Sequence, residues 1–164
     1  MRYVGVDPGA KGGIAVIYPD GFVEAVAVPS EHEVLRDWMA DRFLDGRPTT
    51  AVIELVTGYI GKKRAGAGGE ERDGDPGASM FQFGVSYGAL QMALTACYIP
   101  YDKAAPRTWQ KALGAGARGG RSKAEFKRHL KHLAQHLFPR LKVTLATADA
   151  LLLAEYCRRI RGRA

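Results

Sequence analysis

The chain has 164 residues, 46% hydrophobic and 25% charged, enough to bury one sizeable core without a disulfide or metal staple. No apolar run approaches the ~18 residues of a membrane span, the opening MRYVGVDPG reads as a strand and not a secretory leader, and the two cysteines, Cys97 and Cys157, stand far apart, which excludes a disulfide scaffold. The formal charge of +7 points to an anionic partner, and the expectation is one domain over residues 1–164 with no membrane partner.

Tyr3 to Asp7 alternates and stops at Pro8-Gly9, so it reads as a strand ended by a turn. Gly13 to Tyr18 and Phe22 to Val28 are two further strands, joined at Pro19-Asp20-Gly21, where Asp and Gly tolerate hairpin angles. The three make an antiparallel meander. Ser30 reads as the N-cap of a helix, with Glu33 completing a capping box. Val34, Leu35, Trp38 and Met39 form its apolar face, which runs on towards Leu44 until Gly46-Arg47-Pro48 ends it. Thr50 to Val56 is a fourth strand, apolar except for Glu54. Thr57 to Ser79 has no periodicity; its seven glycines and eight charged residues, Lys62-Lys63-Arg64 among them, predict a mobile, glycine-rich loop.

Phe81 to Ala96 predicts a helix with Leu90, Leu94 and Cys97 on its apolar side, and Tyr98 to Tyr101 a short fifth strand. Pro106 opens a short helix through Leu113, and Gly114 to Gly120 is a flexible link. Ser122 and Glu125 form a second capping box ahead of the stripe Phe126, Leu130, Leu133 and Leu137, which Pro139 stops. Thr147 to Ile160 is the last helix. Arg158, Arg159, Arg161 and Arg163 follow at its C-terminal end, where cations suit the helix dipole as well as phosphate.

The excess charge is concentrated. From Lys103 to Lys131 there are nine basic residues and one acid, so this stretch carries +8 and the rest of the chain −1. A localised basic surface suits nucleic acid; the competing reading is a solvated helix face. His132 and His136 lack the Glu of a zinc-binding HExxH helix, and neither cysteine sits in a CxxC pair, so no zinc site is expected.

Three acids stand out in apolar surroundings: Asp7 at the end of strand 1, Glu54 inside strand 4, and Asp149 within Ala148-Asp149-Ala150-Leu151-Leu152. Singly, each has an ordinary reading: a turn former, a solvent-facing strand residue, a favourable charge at a helix N-terminus. Together they are more specific. If strands 1 and 4 are neighbours, Asp7 and Glu54 converge at their ends, and like charges that close need a cation or a proton between them. A hard cation such as Mg²⁺ takes oxygen ligands of this kind, and metal ions held so can promote phosphodiester hydrolysis.

The ordered set VGVDPGAKGGIAVI, AVIEL, FGVSYGAL, RTWQKALG, SKAEF and TADALLLAEY resembles RuvC-type Holliday junction resolvases of the RNase H-like superfamily, from Arg2 to about Tyr156. The resemblance implies an α/β, RNase H-like fold: a five-stranded mixed sheet, antiparallel meander plus parallel strands, flanked by helices. It implies a Mg²⁺-dependent crossover junction endodeoxyribonuclease, with Mn²⁺ as an alternative ion, that nicks four-way or branched DNA in pairs as a homodimer. The corresponding location is the cytoplasm, bacterial or that of a viral host. Asp7, Glu54 and Asp149 match metal-binding carboxylates of the family. Lys111 and Lys123 match basic positions near the scissile phosphate, and Gly84, ahead of Gly88, matches a dimer-packing glycine.

Lys103, Arg107, Lys111, Arg118, Arg121, Lys123 and Lys127 are the expected DNA-backbone contacts. Tyr59 and Phe81, with Phe83 behind them, are candidates for the aromatic that meets the junction centre. Two departures from the family pattern stand out. Ala146 occupies the position of a fourth, acidic or histidine, ligand, so that one ion loses a ligand or Thr147, water or another carboxylate substitutes. The loop after Glu54 is also longer than in bacterial resolvases. Two other activities share these acids or this surface: an RNase H-like nuclease for RNA–DNA hybrids or branched DNA, and a non-catalytic junction-binding protein.

Overall fold

The computed structural model describes residues 1–9, 11–56 and 76–162. Strands β1 (Arg2–Asp7), β2 (Gly13–Ile17) and β3 (Val23–Ala27) form the expected antiparallel meander. Strands β4 (Thr49–Glu54) and β5 (Tyr101–Ala104) extend the sheet in parallel beyond β1, giving the order β3-β2-β1-β4-β5. Among the described residues five helices accompany it: α1 (His32–Phe43), α2 (Pro76–Ala96), α3 (Pro106–Ala112), α4 (Lys123–Leu137) and α5 (Ala148–Arg161). None of them is long and apolar enough to cross a membrane.

The central strands are buried on both faces, as a sheet covered by helices requires. Val4, Val6, Ile14, Val16, Ala51 and Ile53 face Leu35, Met39 and Phe43 of α1 and Leu90 and Leu94 of α2. Ala15, Ile17 and Val52 face the opposite layer, where Trp109 of α3, Phe126 and Leu130 of α4 and Leu151 to Leu153 of α5 complete a second core. Helix α5 lies along β1, β2 and β4, and every residue from Ala148 to Glu155 is buried. Gly5 makes that approach possible, because a Cβ there would stand 2.1 Å from the Ala150 carbonyl oxygen and 2.2 Å from Ala154 N. Gly13 does the same for the turn ahead of α5, with a Cβ 2.5 Å from the Ala146 carbonyl oxygen.

Several boundaries differ from the sequence expectation. Helix α1 starts at His32 with Glu31, not Ser30, as N-cap and no side-chain cap bond; Val34 and Leu44, expected on its apolar face, are exposed. Residues 76–79, expected in the loop, belong to α2, whose start at Pro76 uses a residue with no N–H to satisfy. The fifth strand is Tyr101–Ala104, not Tyr98–Tyr101. The reason is the end of α2: Tyr98 takes φ 55°, its N–H donates to the Thr95 carbonyl, and Ile99 N–H donates to that of Leu94. This is a Schellman closure, sealed by the buried pair Leu94 and Ile99, and it precedes any strand. The capping box at Ser122 and Glu125 forms as expected. Most of the glycine-rich loop, with Tyr59 and Lys62-Lys63-Arg64, lies outside the described residues, as does Arg163.

Candidate active site

Parallel pairing of β1 with β4 sets Val6 beside Ile53, so Asp7 and Glu54 end adjacent strands on the same edge of the sheet. The first turn of α5 brings Asp149 to that edge. Asp7 and Asp149 are buried and Glu54 is half-buried. Burial, and then repulsion from Asp149 and Glu54, pushes the Asp7 carboxyl from 3.8 up to about 8. Burial raises Glu54 from 4.5 to about 7, with Asp149 adding to the rise and a hydrogen bond from Trp109 opposing it. Burial raises Asp149 as well, and Lys127 opposes that rise. The three acids therefore feel one another.

Two partners of this cluster were not read from the sequence. The Trp109 indole N–H donates to Glu54 Oε2 at 3.0 Å. Trp109 is fully buried, and a buried indole has a single donor that needs an acceptor. The signal was available: a Trp on a short helix and a carboxylate stranded in an apolar strand can satisfy each other. The second partner is Lys127 of α4, whose Nζ lies 3.7 Å from Asp149 Oδ2, an ion pair too long for a hydrogen bond. Lys127 lowers the proton affinity of Asp7 and Glu54 too, so one ammonium acts on all three carboxylates.

Lys111, in the last turn of α3, and Lys123, the first residue of α4, are exposed. Lys103 and Arg107 are exposed as well, and the Lys103 ammonium lies 5.7 Å from the centre of the Tyr87 ring. Arg118 donates to the Arg121 carbonyl, which orders the link ahead of α4. Phe81 is 69% exposed at the start of α2, whereas Phe83 is half-buried, with Cε2 3.3 Å from where a Cβ on Gly9 would stand. Thr147, a candidate substitute ligand, has its hydroxyl engaged by Thr144: it accepts from the Thr144 N–H and meets the Thr144 hydroxyl, each at 3.0 Å. The C-terminal arginines are partly neutralised, Arg158 and Arg159 by Glu155 and Arg161 by Asp102.

Among the described residues no three His, Cys, Asp or Glu side chains stand close enough together to hold an ion. The chemistry of the donor set nonetheless fits a hard divalent cation. All three donors are carboxylates, desolvated and mutually repelling, with Lys127 against them.

No protein-family model and no curated protein matches the chain. Its fold matches solved structures, two of RuvC among them. A Thermus thermophilus RuvC structure aligns with a TM-score of 0.61 and 18% identity over 99% of this chain and 96% of that one. T. thermophilus RuvC in complex with Holliday junction substrate aligns with a TM-score of 0.62 and 17% identity over 99% and 95% of the two chains. The protein thus has a RuvC-like fold, the five-stranded mixed sheet of the RNase H-like class with its flanking helices.

Proposed function

We propose that this protein is a structure-selective endonuclease that resolves four-way DNA junctions by metal-dependent phosphodiester hydrolysis, making paired nicks as a homodimer. The observation that carries the reading is the convergence of Asp7, Glu54 and Asp149 on one sheet edge of a RuvC-like fold. Asp7, Glu54 and Asp149 would hold Mg²⁺ or Mn²⁺ once their side chains draw together around it, and the ion would supply Lewis acidity towards the phosphodiester. Trp109 fixes the rotamer of Glu54 through its N–H. Lys111 and Lys123 stand exposed and free to offset charge developing on the phosphate. Lys103, Arg107, Arg118, Arg121 and Lys127 add backbone contacts, so binding weakens steeply with salt and reads junction shape more than base sequence. Phe81, an exposed aromatic at the head of α2, is the described candidate for stacking at the junction centre.

The homodimer reading draws on α2. Phe81, Gly84, Val85, Gly88 and Met92 recur at helical spacing on one face, and all five are exposed. Among the described residues nothing lies within 4 Å of a Cβ placed on Gly84 or Gly88. A two-fold substrate suits a two-fold protein.

The test is incubation with a synthetic four-way junction, a linear duplex and an RNA–DNA hybrid, each with Mg²⁺ and with EDTA. Symmetric, Mg²⁺-dependent nicks on the junction are expected, and Asp7→Asn should bind junctions without cutting them. Cleavage of the hybrid alone moves the activity to another branch of the fold, and tight binding without cleavage makes the protein a non-catalytic junction binder. Undiminished cutting by Asp7→Asn overturns the carboxylate assignment.

A further inference from the structure

The turn that joins β1 to β2 lies at the sheet edge that holds the acids, because Asp7 ends β1 and pairs with Gly13 at the start of β2. Its backbone is tied down on several sides. Gly9 takes φ 128°, accepts from the Gly12 N–H at 3.0 Å and faces the Phe83 ring of α2. Gly12 rests on the Asp7 peptide, since a Cβ there would stand 2.0 Å from the Asp7 carbonyl oxygen. The Gly12 carbonyl in turn accepts from the Val28 N–H at 3.0 Å.

This turn presents Lys11, which is exposed and, among the described residues, paired with no carboxylate. Other cations are engaged: Lys127 by Asp149, Arg158 and Arg159 by Glu155, Arg161 by Asp102. Arg2, the other basic side chain of the hairpin, is buried at its far end and bound to Asp45. The sheet order then sets the charges around the acids. Strand β1 has β2 on one side and β4, then β5, on the other, and α3 follows β5. Asp7 and Glu54 therefore stand between Lys11 and Lys111, which lies two residues beyond the Trp109 bonded to Glu54. Lys11 is outside the basic stretch from Lys103 to Lys131, so only the topology brings it to the site.

We infer that Lys11 is a further phosphate-binding residue of the site, gripping the DNA strand on the β2 flank of the acids while the cations of α3 and α4 hold it on the other. The inference rests on the proposed nuclease reading. An ammonium on a four-carbon stem is a point charge with three donors, suited to a backbone phosphate and blind to base identity. The fixed turn beneath it means that little backbone freedom is lost when DNA binds.

The test compares wild type, Lys11→Met, Lys11→Arg and Arg47→Met in binding a four-way junction in EDTA over a range of KCl concentrations. Arg47 is exposed ahead of β4, at the other end of the sheet, and controls for the loss of one positive charge. Lys11→Met should bind roughly fivefold more weakly than Arg47→Met. The slope of its log affinity against log salt should be shallower by about one, the share of one phosphate contact. Lys11→Arg should stay near wild type. Methylphosphonates placed singly at the phosphates near the crossover then locate the contact: one of them should weaken wild type about as much as Lys11→Met does, and add nothing in Lys11→Met. Equal affinities and salt slopes for Lys11→Met and Arg47→Met, or methylphosphonates that cost Lys11→Met as much as wild type, overturn the inference and leave the nuclease reading intact. A wild type that neither binds nor cuts the junction overturns that reading and the inference together.

Discussion

At the scale of the residue, Asp7 and Glu54 have a consequence for stability. Their carboxyls sit at about 8 and about 7 in the folded protein, against 3.8 and 4.5 when free of it. A raised folded value means that the native state takes up protons the unfolded chain does not. The stabilisation is complete below the free values and is lost as pH rises through about 7 and 8. Thermal melts in EDTA should therefore show melting temperature falling from about pH 5 to about pH 9, and Asp7→Asn should flatten that fall. A wild-type melting temperature that climbs over the window contradicts the burial argument. Restoring an acid by Ala146→Asp adds an oxygen donor beside the turn into α5, and should lower the Mg²⁺ concentration needed for half-maximal cleavage; an unchanged Mg²⁺ dependence counts against a missing ligand. Asp7, Glu54 and Asp149 were legible in the sequence because a carboxylate in an apolar run is conspicuous. Lys127 was not, because Lys123, Lys127 and Lys131 repeat at the same helical spacing and only the packing of α4 on α5 selects one of them.

At the scale of the element, legibility followed local chemistry. The meander, the Ser122 box and the last helix carry their own start and stop signals, and all appear within a residue or two of expectation. The misplaced fifth strand shows the limit. Tyr98 has the β-propensity of a strand residue, but the helix ahead of it needs a left-handed residue to close, and the burial of Leu94 against Ile99 decides the matter. A non-glycine residue at this φ costs about 1 kcal/mol, and Tyr98, 90% exposed, has little packing to lose. Tyr98→Gly should thus raise the melting temperature by roughly 1–3 °C in differential scanning calorimetry, with cleavage unchanged. A lower melting temperature would mean that the tyrosine ring makes contacts its exposure does not suggest. Gly5 was equally invisible in the sequence: a glycine inside a strand looks like a weakness until α5 is seen resting on it.

At the scale of the whole molecule, the acids and the basic segment share the layer formed by α3, α4 and α5, whereas the apolar face left exposed among the described residues belongs to α2 on the opposite side of the sheet. This separation lets two copies meet through α2 while each keeps its own carboxylates and cations available to a separate strand of a branched substrate. The α2 face has small residues at its centre, Gly84 and Gly88, and larger ones, Phe81 and Met92, at its ends, so two helices could approach closely along it. Val85→Asp places a charge in the middle of that face without touching the acids. It should convert a sedimentation-velocity dimer into a monomer, and on a four-way junction it should replace paired nicks with single, uncoupled ones. The monomer should keep its Mg²⁺ dependence, because the cluster of Asp7, Glu54 and Asp149 lies within one chain. Persistence of the dimer and of paired nicks in Val85→Asp would place the two-fold contact elsewhere on the molecule, and loss of all cleavage together with dimerisation would make each site depend on its neighbour.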